Sequence, residues 1–263
     1  LDLTNKELEP WCMVVDEPEK PAFLQPPCKE GLVDYKKETL FPDEIDILVT
    51  ARNHSVKMSR VINSSIERWI FSLVSVHTQG GFMGSGNYGS SRINGGYGSR
   101  PCVALITGNL YGDRFLRETS IILQERDKII SVRPFFKKSG GLSLLWLRPW
   151  DGKTQINMDE LDPLYIDVSR KIRLVEKDKN ILARWSGTKA ARLNSKDLKG
   201  FTGDPWGPVL EKNGSIQLMT VASSGLNYRL ISDVMLGQNY KRSLLQEKYE
   251  LDVGKPLFFY AEV

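Results

Sequence analysis

The sequence predicts an α+β fold: one large, irregular mixed α/β domain in which several short strands and helices surround a long glycine-rich loop. Three observations carry this. Along the 263 residues the apolar spacing switches repeatedly between a strand-like period of 2 and a helix-like period of 3.6, a pattern of mixed layers rather than of a bundle or a barrel. The apolar fraction is 41%, with ten Phe, nine Tyr and six Trp, enough for a sizeable core. Proline punctuates the first 46 residues and glycine the stretch 80–101, so regular elements there are short. No internal repeat is present.

The elements follow in order. In residues 1–46, Pro10, Pro18, Pro21, Pro26, Pro27 and Pro42 separate short apolar runs. Residues 11–15 (WCMVV) read as a short strand, and 45–50 (IDILVT) as a second one that ends in a polar turn. From 63 to 77, Ile66, Trp69, Ile70, Leu73, Val74 and His77 recur at helical spacing; Ser64 and Ser65 suit the N-cap and Glu67 the first turn. After the glycine tract the spacing predicts a strand over 102–107 and a helix over 113–126. It then predicts strands over 129–136 and 142–148 and a helix over 161–174, with Pro163 near its start. Residues 201–208 (FTGDPWGP) read as a turn and 216–221 as a strand. Residues 226–236 read as a helix or strand leading into the polar tract 237–248.

Several function classes find no support. No run approaches the roughly 18–20 apolar residues that cross a bilayer, and no charged-then-apolar leader is visible. Cys12, Cys28 and Cys102 are odd in number and scattered, unlike a disulfide framework or the paired cysteines of a zinc site. With His54 and His77 the only histidines, no metal or cofactor is expected, and a reducing cytoplasm is the natural compartment. Asp43, Glu44 and Asp46 cluster without a histidine or a second carboxylate group. Asp159, Glu160 and Asp162 read as a helix start, where negative charge favours the macrodipole. No GxSxG elbow accompanies a serine, and His77 falls on the apolar side of its helix as a core residue. No catalytic residue is assigned, and the chain is not expected to be an enzyme.

The net charge of +4 is mild, so the position of charge matters more than its sum. Residues 80–101 hold eight glycines in 22 positions, interleaved with Phe82, Tyr88 and Tyr97. Residues 84–89 satisfy GxGxxG, but a helix precedes them, more glycines follow, and no acid occurs between Glu67 and Asp113. That is the wrong context for a dinucleotide site, and a phosphate loop of the Walker type would need a lysine. An acid-free glycine loop lets backbone N–H groups approach phosphates or base edges; read without chemistry, it is a structural loop packed between subunits. Residues 184–199 carry Arg184, Lys189, Arg192, Lys196 and Lys199 against Asp197 alone. That density suits a phosphate-tracking surface, or equally a solvated basic face. Residues 237–243 (GQNYKRS) are by themselves an ordinary polar, basic loop.

Several stretches together resemble the CasA family, the large subunit of the type I-E CRISPR Cascade complex. They are LEPWCMVVDEPEKPAFLQPP (8–27), DEIDILVTARNHSVK (43–57), QGGFMGSGNYGSSRINGGYGSRP (79–101), LLWLRPWDG (144–152), LDPLYIDVSRKIRL (161–174), SGTKAARLNSKDLKGFTGDPWGP (186–208) and VMLGQNYKRS (234–243). They run in the family's order, and the glycine tract and FTGDPWGP are the most specific. The resemblance implies a non-enzymatic subunit that checks the protospacer-adjacent motif on double-stranded DNA, helps to start strand separation and supports recruitment of a helicase–nuclease. Its implied partners are a guide RNA (crRNA), target duplex DNA and the backbone, 5′-handle-binding and small subunits of Cascade.

By the same resemblance, Gly84, Gly86, Asn87 and Tyr88, with Arg92 in the same tract, would probe the motif from the minor groove. Lys196 or Lys199 would be a lysine finger, with Lys189 and Arg192 in the same basic tract. Gln238, Asn239, Tyr240 and Lys241 would form the wedge at the first base pair. Arg52, Asn53 and His54 would meet the 5′ end of the guide and its assembly partners. The family's C-terminal helical bundle and its N-terminal start are expected to be absent from 1–263. Two rival readings remain: a nucleotide-binding transferase using the glycine loop, and a purely structural assembly subunit.

Overall fold

The computed structural model describes residues 8–46, 65–90, 93–94, 98–108, 110–212, 214–222, 225–237, 239–248 and 257–262. It has the expected mixed α+β character, with small antiparallel sheets and short helices. Among the described residues the strands are β1 (Lys37–Thr39), β2 (Ile93–Asn94), β3 (Gly98–Ser99), β4 (Cys102–Thr107), β5 (Leu142–Leu144), β6 (Leu161–Ile166), β7 (Lys171–Lys177), β8 (Asn180–Ser186), β9 (Val209–Lys212), β10 (Ser215–Leu218), β11 (Tyr240–Lys241) and β12 (Leu257–Glu262). The helices are α1 (Ile66–Gln79), α2 (Tyr111–Gln124), α3 (Arg126–Val132), α4 (Tyr228–Leu236) and α5 (Leu244–Glu247). The chain forms two compact units, one of residues 1–93, 142–157 and 165–194, the other of 94–141, 158–164 and 195–263.

The first unit is built on the antiparallel sheet β1–β8–β7. β7 and β8 are joined by the two-residue turn Asp178-Lys179, both at positive φ (52° and 62°), the backbone that matches a hairpin's twist. This hairpin corrects the helix expected over 161–174. Ile172 and Leu174, both buried, stand two residues apart, which is strand period; the apparent helical spacing came from joining them to Ile166 across a break. α1 matches its expectation, burying Trp69, Leu73 and Val76 along one stripe.

Residues 11–15 are not a strand either. A 3₁₀ turn, Glu9–Trp11, sets Trp11 against Phe23 and Trp146, with ring centroids 6.0 and 5.4 Å away. The following carbonyls meet side chains instead of a neighbouring strand: Gln25 Nε2 donates to Met13, and the buried Arg173 guanidinium donates to Val15, Glu17 and Lys20 at 2.8–3.0 Å. Residues 45–46 follow a 3₁₀ turn, Pro42–Glu44; the rest of the strand expected over 45–50 lies outside the described residues.

In the second unit β4 pairs antiparallel with β12, and β9 pairs with both β10 and β11. Val103, Met219, Val221 and Val234 make one buried cluster, and Ala104, Ile121 and Leu245 another. β4 occupies the expected residues, and α2 lies within two residues of its expected bounds. Residues 129–136 are corrected from strand to the end of α3, which buries Ile129 and Ile130 and stops before Pro134. Residues 142–148 are a strand only as far as Leu144, then a 3₁₀ turn. Residues 158–160 likewise make a 3₁₀ turn into β6 rather than a helix start.

FTGDPWGP is a turn, as expected, and its contacts are structural. The Asp204 carboxylate accepts from Trp206 N at 2.9 Å, and Trp206 Nε1 donates to Glu118 at 2.9 Å. The carbonyls of Trp206 and Pro205 receive Val103 N and Leu245 N. The turn thereby ties β4 to α5.

Candidate nucleic-acid interface

The glycine tract leaves the end of α1 at Gly80 and folds into a tight turn. Asn87 N donates to Gly84 O at 3.0 Å, and Met83 N donates to Asn87 O at 2.9 Å. Gly84 and Gly86 have φ of 97° and 83°, and a Cβ at either would meet no atom within 4 Å. Their requirement is conformational, because L side chains rarely adopt this backbone. Gly89 is of the other kind: a Cβ there would collide with Gly80 O and with the Arg170 guanidinium.

Two groups hold the turn in place. The buried Arg170 donates to Gly80 O, Gly81 O and Tyr88 O at 3.3, 2.8 and 3.0 Å, and to Ser169 O at 2.8 Å. Burial lowers its pKa to about 10, so it stays charged at neutral pH. From β8's far end, Thr188 N donates to Gly86 O at 2.8 Å, and Thr188 Oγ1 accepts from Tyr88 N at 3.1 Å. The next residue, Lys189, is fixed through its backbone N to Gly152 O at 2.7 Å while its side chain is exposed. Residues a hundred positions apart in the chain thus meet as one feature: bare backbone at Gly84 and Gly86, the Asn87 carboxamide, the Tyr88 ring against Phe82 at 5.2 Å, and the Lys189 cation. Among the described residues, neither the Asn87 side chain nor the Lys189 ammonium has a hydrogen-bond or ion-pair partner. Met83 and Asn87 also border a cavity of about 200 Å³ with Val76, Arg170, Ile172 and Trp185.

Beneath the turn lies a polar layer. Ser169 N donates to His77 Nδ1 at 3.1 Å. His77 is buried as expected of a core residue, and burial, then the Arg170 charge, pushes its pKa down to about 3. The half-buried Asp167 accepts from Ser90 Oγ at 3.1 Å and from Val168 N at 2.7 Å, and desolvation raises its pKa to about 6.

The other assigned residues divide by exposure. Arg192 is 2% exposed, donates to Arg148 O and Pro149 O at 2.8 and 3.1 Å, and lies over the Trp150 ring at 5.3 Å. It is a clamp on a loop, which removes it from the phosphate-facing set. Lys196 and Lys199 are exposed and belong to the second unit; Lys199 Nζ donates to Ser215 Oγ at 2.9 Å. In the expected wedge, Asn239 donates to both Asp233 oxygens and Lys241 pairs with Glu211 at 2.8 Å. Tyr240 pairs with Leu210 and packs on the Val103 cluster. Arg52, Asn53, His54, Arg92 and Gln238 lie outside the described residues.

Arg170 and Thr188 were not singled out from sequence. Thr188 sits beside Lys189 inside a quoted stretch, but nothing distinguishes Arg170 from any other arginine before its partners are seen. Among the described residues no three of His, Cys, Asp and Glu gather as metal ligands, and no helix is long and apolar enough to cross a membrane. No protein-family model matches the chain, and no curated protein matches it.

Proposed function

We propose that this chain is the DNA-recognition subunit of an RNA-guided CRISPR interference complex of the Cascade type, acting in the cytoplasm without catalysing a reaction. In this reading the glycine turn and Lys189 meet the motif beside the target on duplex DNA. The guide RNA reads the remaining sequence by pairing, and the other Cascade subunits and a helicase–nuclease assemble around the chain. The observation that carries the reading is the stapling of the Gly84–Asn87 turn to Thr188 and Lys189, which sets bare backbone, a carboxamide and an unpaired cation side by side. Backbone amides and one lysine suit the minor groove, whose donor and acceptor pattern is degenerate and supports coarse readout. Lys189, fixed next to the turn, is then the better finger than Lys196 or Lys199. Sequence discrimination is left to base pairing, and strand opening needs no enzyme because guide pairing roughly balances the duplex lost.

Gly86→Asp tests this. A side chain at Gly86 meets open space, so the folding cost is the positive φ alone, about 1–2 kcal/mol. The carboxylate would stand where DNA is expected. The variant should assemble with its complex, melt close to the parent, and lose motif-dependent binding to matched duplex targets. An assembled variant that discriminates the motif as the parent does would remove the turn from recognition. Failed assembly of Gly86→Asp together with Gly86→Ala would favour the structural-subunit reading.

A further inference from the structure

We propose a second nucleic-acid site in the second unit, a single-strand phosphate cradle centred on Arg133. The Arg133 guanidinium lies over the Phe201 ring at 3.9 Å and the Phe135 ring at 4.8 Å. Its Nε is buried without an acceptor, and among the described residues it has neither a carboxylate nor a carbonyl partner. Arg170, Arg173 and Arg192 differ in that each donates to at least two backbone oxygens, although Arg192 Nε too is buried without an acceptor. Desolvation lowers the Arg133 pKa, a cost that an anion would relieve. Gly203, at φ 88°, lays the loop on the arginine stem: a Cβ there would stand 3.5 Å from Arg133 Cγ and 2.8 Å from Ile129 Cγ2. The guanidinium is therefore held flat and preorganised with donor capacity unfilled.

The surroundings point to a strand rather than a small anion. A turn closed by Phe136 N to Arg133 O at 3.3 Å leads straight to Lys137 and Lys138, both exposed and without ion pairs among the described residues. On the other side Phe201 follows two residues after Lys199, with its N bonded to Leu198 O at 2.8 Å. Lys196 and Lys199 thus reach the cradle along the chain, with Asp197 the one acid between them. Arg133 with four lysines near it along the chain, beside two half-buried aromatic rings that it partly covers, suits a single strand, whose phosphates take the cations and whose unstacked bases can pack beside the rings and the guanidinium. A duplex hides its bases from such rings. The proposal uses no residue of the glycine turn, so it can fail while the duplex-recognition reading stands, and the reverse.

The test uses the full chain and a labelled 20-nucleotide oligo(dT), read by fluorescence anisotropy across a salt series. Arg133→Gln should weaken binding about tenfold and lower the salt slope by roughly 0.7, the value for one lost single-strand phosphate contact. Lys137→Gln/Lys138→Gln should lower the slope by about twice that; both side chains are exposed, so this variant decides if Arg133→Gln misfolds. Folded variants with unchanged affinity and slope would overturn the proposal. So would a duplex that binds more tightly than the single strand through Arg133. Inorganic phosphate displacing the oligonucleotide at equal phosphate concentration would make this a free-phosphate site and overturn the strand assignment.

Discussion

Replacing Arg170 by Met keeps the side-chain length and deletes the guanidinium that holds the glycine tract. Four carbonyls lose a donor: those of Gly80, Gly81, Tyr88 and Ser169. At about 1.5 kcal/mol net for each bond to a charged donor, the loss is roughly 6 kcal/mol. Against it stands relief of burial: the fall of the Arg170 pKa from 12.5 to about 10 corresponds to about 3 kcal/mol at ~1.4 kcal/mol per tenfold change in proton affinity. The variant should therefore lose about 3 kcal/mol of stability, or roughly 6–12 °C in melting temperature for a chain of this size. Duplex binding should weaken as the turn loosens, while the salt dependence stays as in the parent, because Arg170 touches no phosphate. Calorimetry and a salt series on the same preparation read both. A variant melting within about 2 °C of the parent and binding normally would show that Thr188 alone fixes the turn, and the clamp argument would fail.

The basic residues should separate by exposure. Lys189→Ala, Lys196→Ala and Lys199→Ala should each change stability by no more than about 0.5 kcal/mol, and any that contacts a duplex phosphate should flatten the salt slope by about 0.9. Arg192→Ala should instead cost about 2–4 kcal/mol with the slope unchanged; an undiminished melting temperature would return it to the surface set. The pH dependence has two opposed parts. His77, depressed from 6.5 to about 3, contributes stability that is present above pH 6.5 and lost as pH falls towards 3, about 3 kcal/mol of it by pH 4. Asp167, raised from 3.8 to about 6, works the other way: its contribution is present below pH 3.8 and lost as pH rises through 6. Asp167→Asn should therefore be more stable than the parent at pH 7 and lose more stability between pH 6.5 and 4. Parallel pH profiles for variant and parent would refute the assignment.

What the sequence revealed, and what it hid, follows from where the information resides. α1 and β4 were legible because one face or one short apolar run decides them locally: Trp69, Leu73 and Val76 repeat at helical spacing, and 102–107 is a short apolar run between Pro101 and Gly108. The β7–β8 hairpin was not, because its turn residues are Asp178 and Lys179 rather than the Asn-Gly that advertises positive φ. Residues 11–15 have strand composition, but no neighbouring strand takes their carbonyls: Phe23 N takes that of Cys12, the Gln25 side chain that of Met13, and Arg173, more than 150 positions away, that of Val15. The glycine turn was legible as a feature and not as a site, since its partner Thr188 lies a hundred residues on. Arg192 was misread for the same reason: a basic run looks like one surface until burial separates Arg192 from Lys189.

The buried arginines also change what the net charge means. A guanidinium paired with a carboxylate adds nothing to the distant field, whereas one bonded to carbonyls keeps its full charge inside the unit. Arg170 and Arg173 spend their hydrogen bonds on carbonyls in this way. Asp167, whose charge supports that of Arg170, is mostly ionised at pH 7 but takes up a proton as pH falls through about 6. Low-dielectric surroundings carry such a charge further than water would, and the depressed His77 registers it directly. In the proposed reading Arg170, under the acid-free tract, would favour a phosphate without touching it, and it holds the carbonyl oxygens of Gly80, Gly81 and Tyr88, which flank the turn, towards itself. A loop rich in glycine exposes carbonyls as readily as amides; fastening the flanking carbonyls to a buried cation leaves the Gly84 and Gly86 backbone and the exposed Lys189 as the accessible groups.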